Sequence, residues 1–116
     1  MPSLRRSFAA LVASVAIVVA GCVAPTLPLP PPALPTVSSN VDGVVHLTSD
    51  RGVDANAIVV IYNRNPAVAL DKRVGGAQAD ATGSWEADVF ATKGDVLDIT
   101  QETGTTRSAP ISLTIP

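Results

Sequence analysis

The sequence predicts an all-β fold for residues 37–116, a small two-sheet sandwich of six or seven short strands. Short apolar or alternating runs recur along this segment, turn-forming residues separate them at short intervals, and no run has the 3.6-residue period of a helix. A domain of about 80 residues buries roughly 60% of its unfolded surface. We therefore expect one modest core and no deep, elaborate active site.

The first half of the domain carries two strand patterns. Residues 43–48 alternate, with Val45 and Leu47 on one face. A turn over residues 50–52 separates them from residues 57–62. That second run is continuously apolar and rich in β-branched side chains, which suits a central strand covered on both sides.

Residues 68–78 have a weaker pattern, and the turn-forming residues 63–66 precede them. We expect one or two short strands in this region. Glycine has no side chain to pack and weakens the interior of a strand. Gly75 and Gly76 are therefore expected to form a bulge or a turn.

The second half of the domain alternates more clearly. Residues 84–90 place Trp85 inward, residues 96–101 form the next strand, Gly104 marks a hairpin, and residues 111–115 alternate as the last strand. The inward positions of all the strands define the expected core, which consists of Val45, Leu47, Val59, Ile61, Trp85, Val89, Leu97, Ile99, Ile111 and Leu113.

Residues 1–21 have a different pattern, which is typical of a cleaved export signal. Arg5 and Arg6 give a positive start, and an apolar run follows at residues 8–20. As a helix this run rises about 20 Å, which is short of the roughly 30 Å hydrocarbon core of a bilayer. We therefore predict a signal helix that is removed, not a permanent membrane span.

The end of this segment reads Val19-Ala20-Gly21-Cys22, and it resembles the lipobox of bacterial lipoproteins. The resemblance implies cleavage between Gly21 and Cys22 and a diacylglycerol thioether on the Cys22 sulfur, which would attach the protein to a membrane. By analogy with enterobacterial lipoproteins, valine at position 23 implies sorting to the outer membrane if the host is Gram-negative. An ordinary secreted protein or an uncleaved anchor is the alternative.

Residues 22–36 are expected to be the lipidated cysteine and a proline-rich linker. Nearly half of the positions in 23–36 are proline, which lacks an N–H donor and fixes φ, so neither a helix nor a sheet interior is available. A semi-rigid polyproline-II spacer of at most about 43 Å follows, at roughly 3.1 Å per residue. A docking motif for a partner is the alternative use of the same composition.

Charge and cysteine content exclude several classes of function. Without Arg5 and Arg6, the chain has six basic and ten acidic side chains and a net charge of −4. A mildly acidic surface repels phosphate backbones and anionic lipid, so we expect neither a nucleic-acid partner nor a polybasic membrane contact. The single cysteine excludes an internal disulfide.

Two short motifs and two further residues of the domain are similar to the closing half of bacterial Ig-like domains of surface proteins. They are DATGSW at residues 80–85, GDVLDIT at residues 94–100, and then Gly104 and Ser108. The similarity covers about half of the domain, and transthyretin-like sandwiches fit almost as well. Because that family is mostly structural, the resemblance implies a spacer, adhesion or appendage module and supplies no catalytic residue.

His46 is the only histidine, and it lies on the strand face opposite Val45 and Leu47. Nucleophilic catalysis would need a nucleophile and an orienting acid around it, and no recognised spacing links it to Ser49 or Asp50. We therefore predict an ordinary surface histidine. With Cys22 lipidated, one histidine does not supply the ligands of a zinc site.

Calcium is the metal that the sequence leaves open. One loop contains Asp50, Asp54 and Asn56, and another contains Asp95 and Asp98. No EF-hand loop is present, and aspartate at turns usually accepts hydrogen bonds from its own backbone. We therefore predict turn chemistry at these positions, with no metal site and no cofactor.

A glycosidase pair of carboxylates, either Asp80 with Glu86 or Glu86 with Asp88, would need a cleft lined with aromatic side chains. The domain has only Trp85, Tyr62 and Phe90, so we do not expect an enzyme and predict no catalytic residue.

Together these patterns predict a lipid-anchored cell-envelope protein, exported and attached through Cys22, whose Ig-like domain is a structural or protein-interaction module that meets another envelope protein. The alternative is a small-ligand or glycan-binding module at the cell surface, assisted by calcium, with the ligand unknown.

Overall fold

The computed structural model describes residues 28–116, and the predicted signal helix, Gly21 and Cys22 lie outside this range. The described residues form two antiparallel sheets, which confirms the all-β sandwich. The strands are β1 (Thr36–Val41), β2 (Val44–Ser49), β3 (Ile58–Asn63), β4 (Val74–Gln78), β5 (Trp85–Phe90), β6 (Val96–Thr103), β7 (Thr106–Arg107) and β8 (Ile111–Thr114).

The first sheet has three strands in the order β1-β2-β5. A two-residue turn, Asp42-Gly43, joins β1 to β2, and both residues have positive φ, 55° and 78°. A type I′ hairpin requires this conformation, and aspartate followed by glycine supplies it. The strand expected at residues 43–48 is β2, whereas β1, which precedes it, was not expected.

The second sheet has the order β4-β3-β6, and both β7 and β8 pair with the other side of β6. β7 pairs with Glu102 and Thr103, and β8 pairs with residues 96–99. Residues 108–110 interrupt this last strand, where Pro110 has no N–H to donate to the ladder. Counted as one interrupted strand, β7 and β8 bring the total among the described residues to seven.

The central position of β3 is confirmed, because it lies between β4 and β6. The expectation that it is covered on both sides is wrong. Val59 and Ile61 are buried, but Ile58 and Tyr62 on the opposite face remain 43% and 39% exposed. The physical reason is that a two-layer sandwich covers one face of each sheet and leaves the other in water.

Gly75 and Gly76 form neither a bulge nor a turn, so that expectation is wrong. They lie within β4 and pair in unbroken register with Ile61 and Val60 of β3. A Cβ atom at Gly75 would lie 2.9 Å from the side chain of Val89. A Cβ atom at Gly76 would lie 2.7 Å from a main-chain oxygen. Close packing of the strand, not a change of chain direction, therefore explains the two glycines.

Eight of the ten expected core residues are buried, and Trp85 is among them at 5% exposure. Ile111 and Leu113 are the exceptions. They are only partly buried and pack against the core from β8, because this short strand lies at the edge of its sheet. Ile115, just beyond β8, is 1% exposed and completes the core at that side.

The antiparallel strands give the sandwich two ends. We name the end formed by loops 50–57 and 79–84 and the turn 104–105 the linker end, because β1 starts there. We name the end formed by the turn 42–43 and loop 91–95 the far end. The loop of residues 64–73, which contains a 3-10 turn at Leu70–Lys72, also lies at the far end.

Candidate functional site

The residues predicted to carry the lipid and the cleavage site, Gly21 and Cys22, lie outside the described residues. Residues 28–116 contain no helix that is long and apolar enough to cross a membrane. The structural features that bear on function are therefore the junction with the proline-rich linker, the histidine on the first sheet, one surface cleft and the buried polar residues at the two ends.

At the junction, the last part of the proline-rich linker packs on the sandwich. Pro32 and Pro35 are buried. The main-chain N–H of Ala33 donates to the carbonyl of Gly52 at 2.9 Å, and the side chain of Gln101 donates from Nε2 to the carbonyl of Pro30 at 2.7 Å. The sequence predicts a semi-rigid polyproline-II spacer along this whole segment, but its end is bonded to the domain.

Gln101 joins the linker to the sandwich alongside the bond between Ala33 and Gly52, and sequence reasoning missed it. It is 1% exposed, and its Oε1 accepts the N–H of Asp54 at 2.9 Å while its Nε2 bonds Pro30. A buried amide that lacked these partners would destabilise the fold. The available signal was a polar residue at an inward position of the alternating run in β6, two positions beyond Ile99.

His46 lies on the outer face of the first sheet, opposite the buried Val45 and Leu47, as predicted. Its Nδ1 is 2.6 Å from Oδ1 of Asp88, and its Nε2 is 3.4 Å from Oε2 of Glu86. The hydrogen bond to Asp88, against a smaller opposing effect of desolvation, raises the pKa of His46 above its usual 6.5.

This arrangement is an ion pair across β2 and β5, not a relay to a nucleophile. Both ring nitrogens face carboxylates, which favours the doubly protonated imidazolium. The only hydroxyl bonded to this residue within residues 28–116 is that of Ser38, and it donates to the carbonyl of His46 rather than to the ring. Ser49 and Asp50 make no hydrogen bond to the ring either.

An open cleft of about 830 Å³ lies at the linker end of the sandwich. Its lining combines one aromatic side chain with hydroxyls, amides and three carboxylates, and it includes no basic residue: Thr36, Thr48, Ser49, Asp50, Asn56, Gln78, Ala79, Asp80, Ser84, Trp85 and Glu86. Among the described residues, the Nε1 of Trp85 has no hydrogen-bond acceptor. The indole is nevertheless buried, so it offers a sugar ring no exposed stacking surface.

The aspartates of the linker end hold their own turns. Oδ1 of Asp80 accepts from the main-chain N–H groups of Thr82 and Ser84 and from the Thr82 hydroxyl, and the pKa of Asp80 falls below 3.8, mainly because of its bonds to Thr82. The hydroxyl of Ser84 bonds the carboxylate of Asp50 at 3.1 Å. These contacts join loops 50–57 and 79–84.

At the far end, Asp95 is 7% exposed and accepts from three donors. They are the side-chain amides of Asn63 and Asn65 at 3.0 and 2.8 Å and the main-chain N–H of Thr92 at 3.0 Å. Burial by itself raises the pKa of Asp95, but these hydrogen bonds outweigh it and lower the pKa below 3.8. Asn63 also donates to the carbonyl of Phe90.

Asp98, another of the aspartates at which turn chemistry was predicted, is paired with an arginine. Arg64 donates from Nε and Nη2 to its two oxygens at 2.7 and 2.6 Å. This fork of hydrogen bonds lowers the pKa of Asp98 below 3.8. The structure does not bring these aspartates together: within residues 28–116 there is no group of three or more His, Cys, Asp or Glu side chains that could hold a metal ion.

Comparisons with known proteins do not assign the chain. No protein-family model, no curated protein and no solved structure matches it. The class of protein that the structure defines is therefore a small two-sheet antiparallel β-sandwich, with a proline-rich linker bonded to one end.

Proposed function

We propose that this protein is a lipid-anchored component of a bacterial cell envelope, and that its sandwich is a structural or protein-interaction module. The observation that carries the proposal is Val19-Ala20-Gly21-Cys22, which closes a segment made of a positive start and the apolar run 8–20. Only a thiol can form the thioether, and the small residues before it let an extended backbone enter a protease site. Two or more long acyl chains hold a protein stably on a membrane.

The sandwich supports a structural role because its polar side chains serve its own loops. Asp80 and Asp95 accept hydrogen bonds from main-chain N–H groups of their own loops. Gln101 bonds main-chain groups of loop 50–57 and of the linker. Catalysis would instead need a group aimed at a substrate. The strand order supports the Ig-like resemblance: the first, second and fifth strands share one sheet, while the third, sixth and last share the other. β4 departs from the constant-type immunoglobulin pattern, since it pairs with β3.

The lipid is tested by replacing the atom that would carry it. In a bacterial host, Cys22→Ser is expected to leave the chain unprocessed or soluble, because it has no thiol to acylate. Thr26→Ala is the matched control, since it alters the same segment and keeps the thiol. Partitioning into a detergent phase and intact-mass spectrometry measure the result. A native product without acyl mass on its first residue, or a Cys22→Ser chain that partitions like the native one, contradicts the proposal.

A small-ligand module is the second candidate, and the cleft at the linker end is the observation that favours it. Its carboxylates and amides could bond a polar ligand that carries several donors. Trp85 lines the cleft and is the only tryptophan, so its fluorescence reports on the site directly. Titration with millimolar calcium and with oligosaccharides tests this candidate. An emission spectrum and a melting temperature that stay constant throughout would remove it.

A further inference from the structure

Residues 30–35, which directly precede β1, are bonded to the sandwich instead of extending away from it. We propose that residues 30–35 are a clasp that holds the linker end of the sandwich toward the membrane, so that only residues 23–29 separate the bonded segment from Cys22. This inference rests on the lipid attachment at Cys22 proposed above. It adds the spacing and the orientation of the domain, which lipid attachment alone does not specify.

The clasp is fastened by contacts on two different segments of the sandwich. Gln101 of β6 bonds the carbonyl of Pro30, and Gly52 of loop 50–57 accepts the N–H of Ala33. Two buried prolines add apolar contact, and proline loses little backbone entropy when it is ordered, because its φ is already fixed. The bound state therefore costs this segment less entropy than it would cost a flexible one.

The clasp shortens the reach of the domain by half. A free linker over the whole of 23–36 spans at most about 43 Å, whereas the segment 23–29 spans at most about 22 Å in the same conformation. Pro30 is held at the linker end through Gln101. The linker end must then stay within this shorter reach of the lipidated cysteine, and the far end with Asn63 and Asp95 is directed away from the bilayer.

The charge of the linker end keeps it from lying on the lipid. The acidic residues there, Asp50, Asp54, Asp80, Glu86 and Glu102, outnumber the basic Arg51 and Arg107. Anionic headgroups repel such a surface within a Debye length, about 8 Å at physiological salt. The domain is therefore held close to the membrane by its tether without adsorbing to it.

The clasp itself is tested by hydrogen exchange on the full processed chain in detergent. The N–H of Ala33 is bonded to the sandwich, whereas the N–H of Leu34 makes no main-chain hydrogen bond among the described residues, so it is an internal control. We expect the Ala33 amide to exchange at least about tenfold more slowly than that of Leu34. Equal exchange of the two amides at free-peptide rates would overturn the clasp, whatever the state of the lipid.

The orientation is tested by energy transfer to acceptor-labelled lipid in vesicles that carry the processed protein. Cys22 is the only cysteine and its thiol is used by the lipid, so an introduced cysteine is the only free thiol. Ala55→Cys places a dye at the linker end, and Lys93→Cys places it at the far end; both positions are exposed. We expect stronger transfer from position 55 than from position 93.

The perturbing variant is Ala33→Pro, which removes the N–H that bonds Gly52. Losing one such bond shifts the ratio of open to closed clasp about fivefold, so the ratio of the two transfer efficiencies should move toward one. Leu34→Pro is the control, because it adds the same ring without removing that bond.

The outcomes separate this inference from the proposed function. Equal transfer from the two positions in the native chain would overturn the orientation. An unchanged ratio in Ala33→Pro would show that the clasp does not set it. A processed chain that stays off the vesicles while its Ala33 amide is protected would refute the lipid anchor and the orientation that depends on it, yet support the docking of residues 30–35.

Discussion

Gly83 is the position where a single added methyl group should damage the sandwich most specifically. It has a φ of +83°, and a Cβ atom built there would lie 2.0 Å from the carbonyl oxygen of Val53. The carbonyl of Gly83 also accepts a hydrogen bond from the N–H of Val53 at 3.3 Å. Gly83→Ala therefore combines an unfavourable backbone conformation with a clash that separates loops 50–57 and 79–84.

The magnitude follows from these two terms. An L-residue in the left-handed region costs about 1 kcal/mol relative to glycine. Because the clashing atom belongs to the main chain, the clash is relieved only if the loop moves. That movement breaks the hydrogen bond between the Val53 N–H and the Gly83 carbonyl, and the loss of this bond costs about a further 2 kcal/mol. We expect a total loss of about 3 kcal/mol in the free energy of unfolding, as the sum of the two.

Gly94 supplies a matched control for this prediction. Its φ is +91°, but nothing lies within 4 Å of the Cβ position, so Gly94→Ala carries only the conformational term of about 1 kcal/mol. Urea unfolding followed by the fluorescence of Trp85 gives both values. The difference of about 2 kcal/mol corresponds to a gap of roughly 8–16 °C in melting temperature for a domain of this size.

The result that would refute this reasoning is equality of the two variants. If Gly83→Ala is no less stable than Gly94→Ala, the contact between the two loops of the linker end does not contribute to folding. A large loss in both variants would instead mean that the left-handed conformation alone dominates, and the clash at Val53 would have no separate effect.

Three further predictions concern the polar residues. Asn63→Ala should lower the free energy of unfolding by about 2–3 kcal/mol, because it removes the amide that donates to the carbonyl of Phe90 and to Oδ2 of Asp95. The exposed Asn40→Ala should leave urea unfolding unchanged. The lowered pKa of Asp95 contributes stability that is present above the unfolded pKa of 3.8 and is lost as the pH falls through the lower folded pKa. Asp95→Asn should therefore reduce the loss of stability at acid pH, and an unchanged loss would contradict the prediction. The raised pKa of His46 acts in the opposite direction: its contribution to stability is complete below pH 6.5 and is lost as the pH rises through the folded pKa. His46→Gln should abolish this decline, which melting temperatures measured between pH 6 and 9 would show.

Much of the fold could be predicted from the sequence because its cues are local. The alternation of Trp85, Ala87 and Val89 is visible without any partner strand, and the burial pattern of β5 follows it. The β1 hairpin also had a local cue: Asp42-Gly43 between valines is a strong turn sequence. The turn could therefore be predicted from the sequence, close to the end of the proline-rich linker.

The errors came from places where a distant segment decides the outcome. Two adjacent glycines look like a break in a strand until Val89 of the other sheet is found against Gly75 and the carbonyl of Val59 against Gly76. A continuous apolar run such as residues 57–62 does not reveal how many of its faces are covered, because coverage depends on the number of layers. The role of Gln101 depends on Pro30, which is 71 residues away in the chain.

The sequence by itself determined the class of fold, the positions of most strands and a prediction of where the protein is attached, because side-chain period and short motifs are properties of neighbouring residues. Only the tertiary structure decided which strands pair, how the two carboxylates flank His46, and that residues 30–35 are bonded to the sandwich. Those features depend on contacts between residues far apart in the chain, and such contacts exist only once the two sheets have packed.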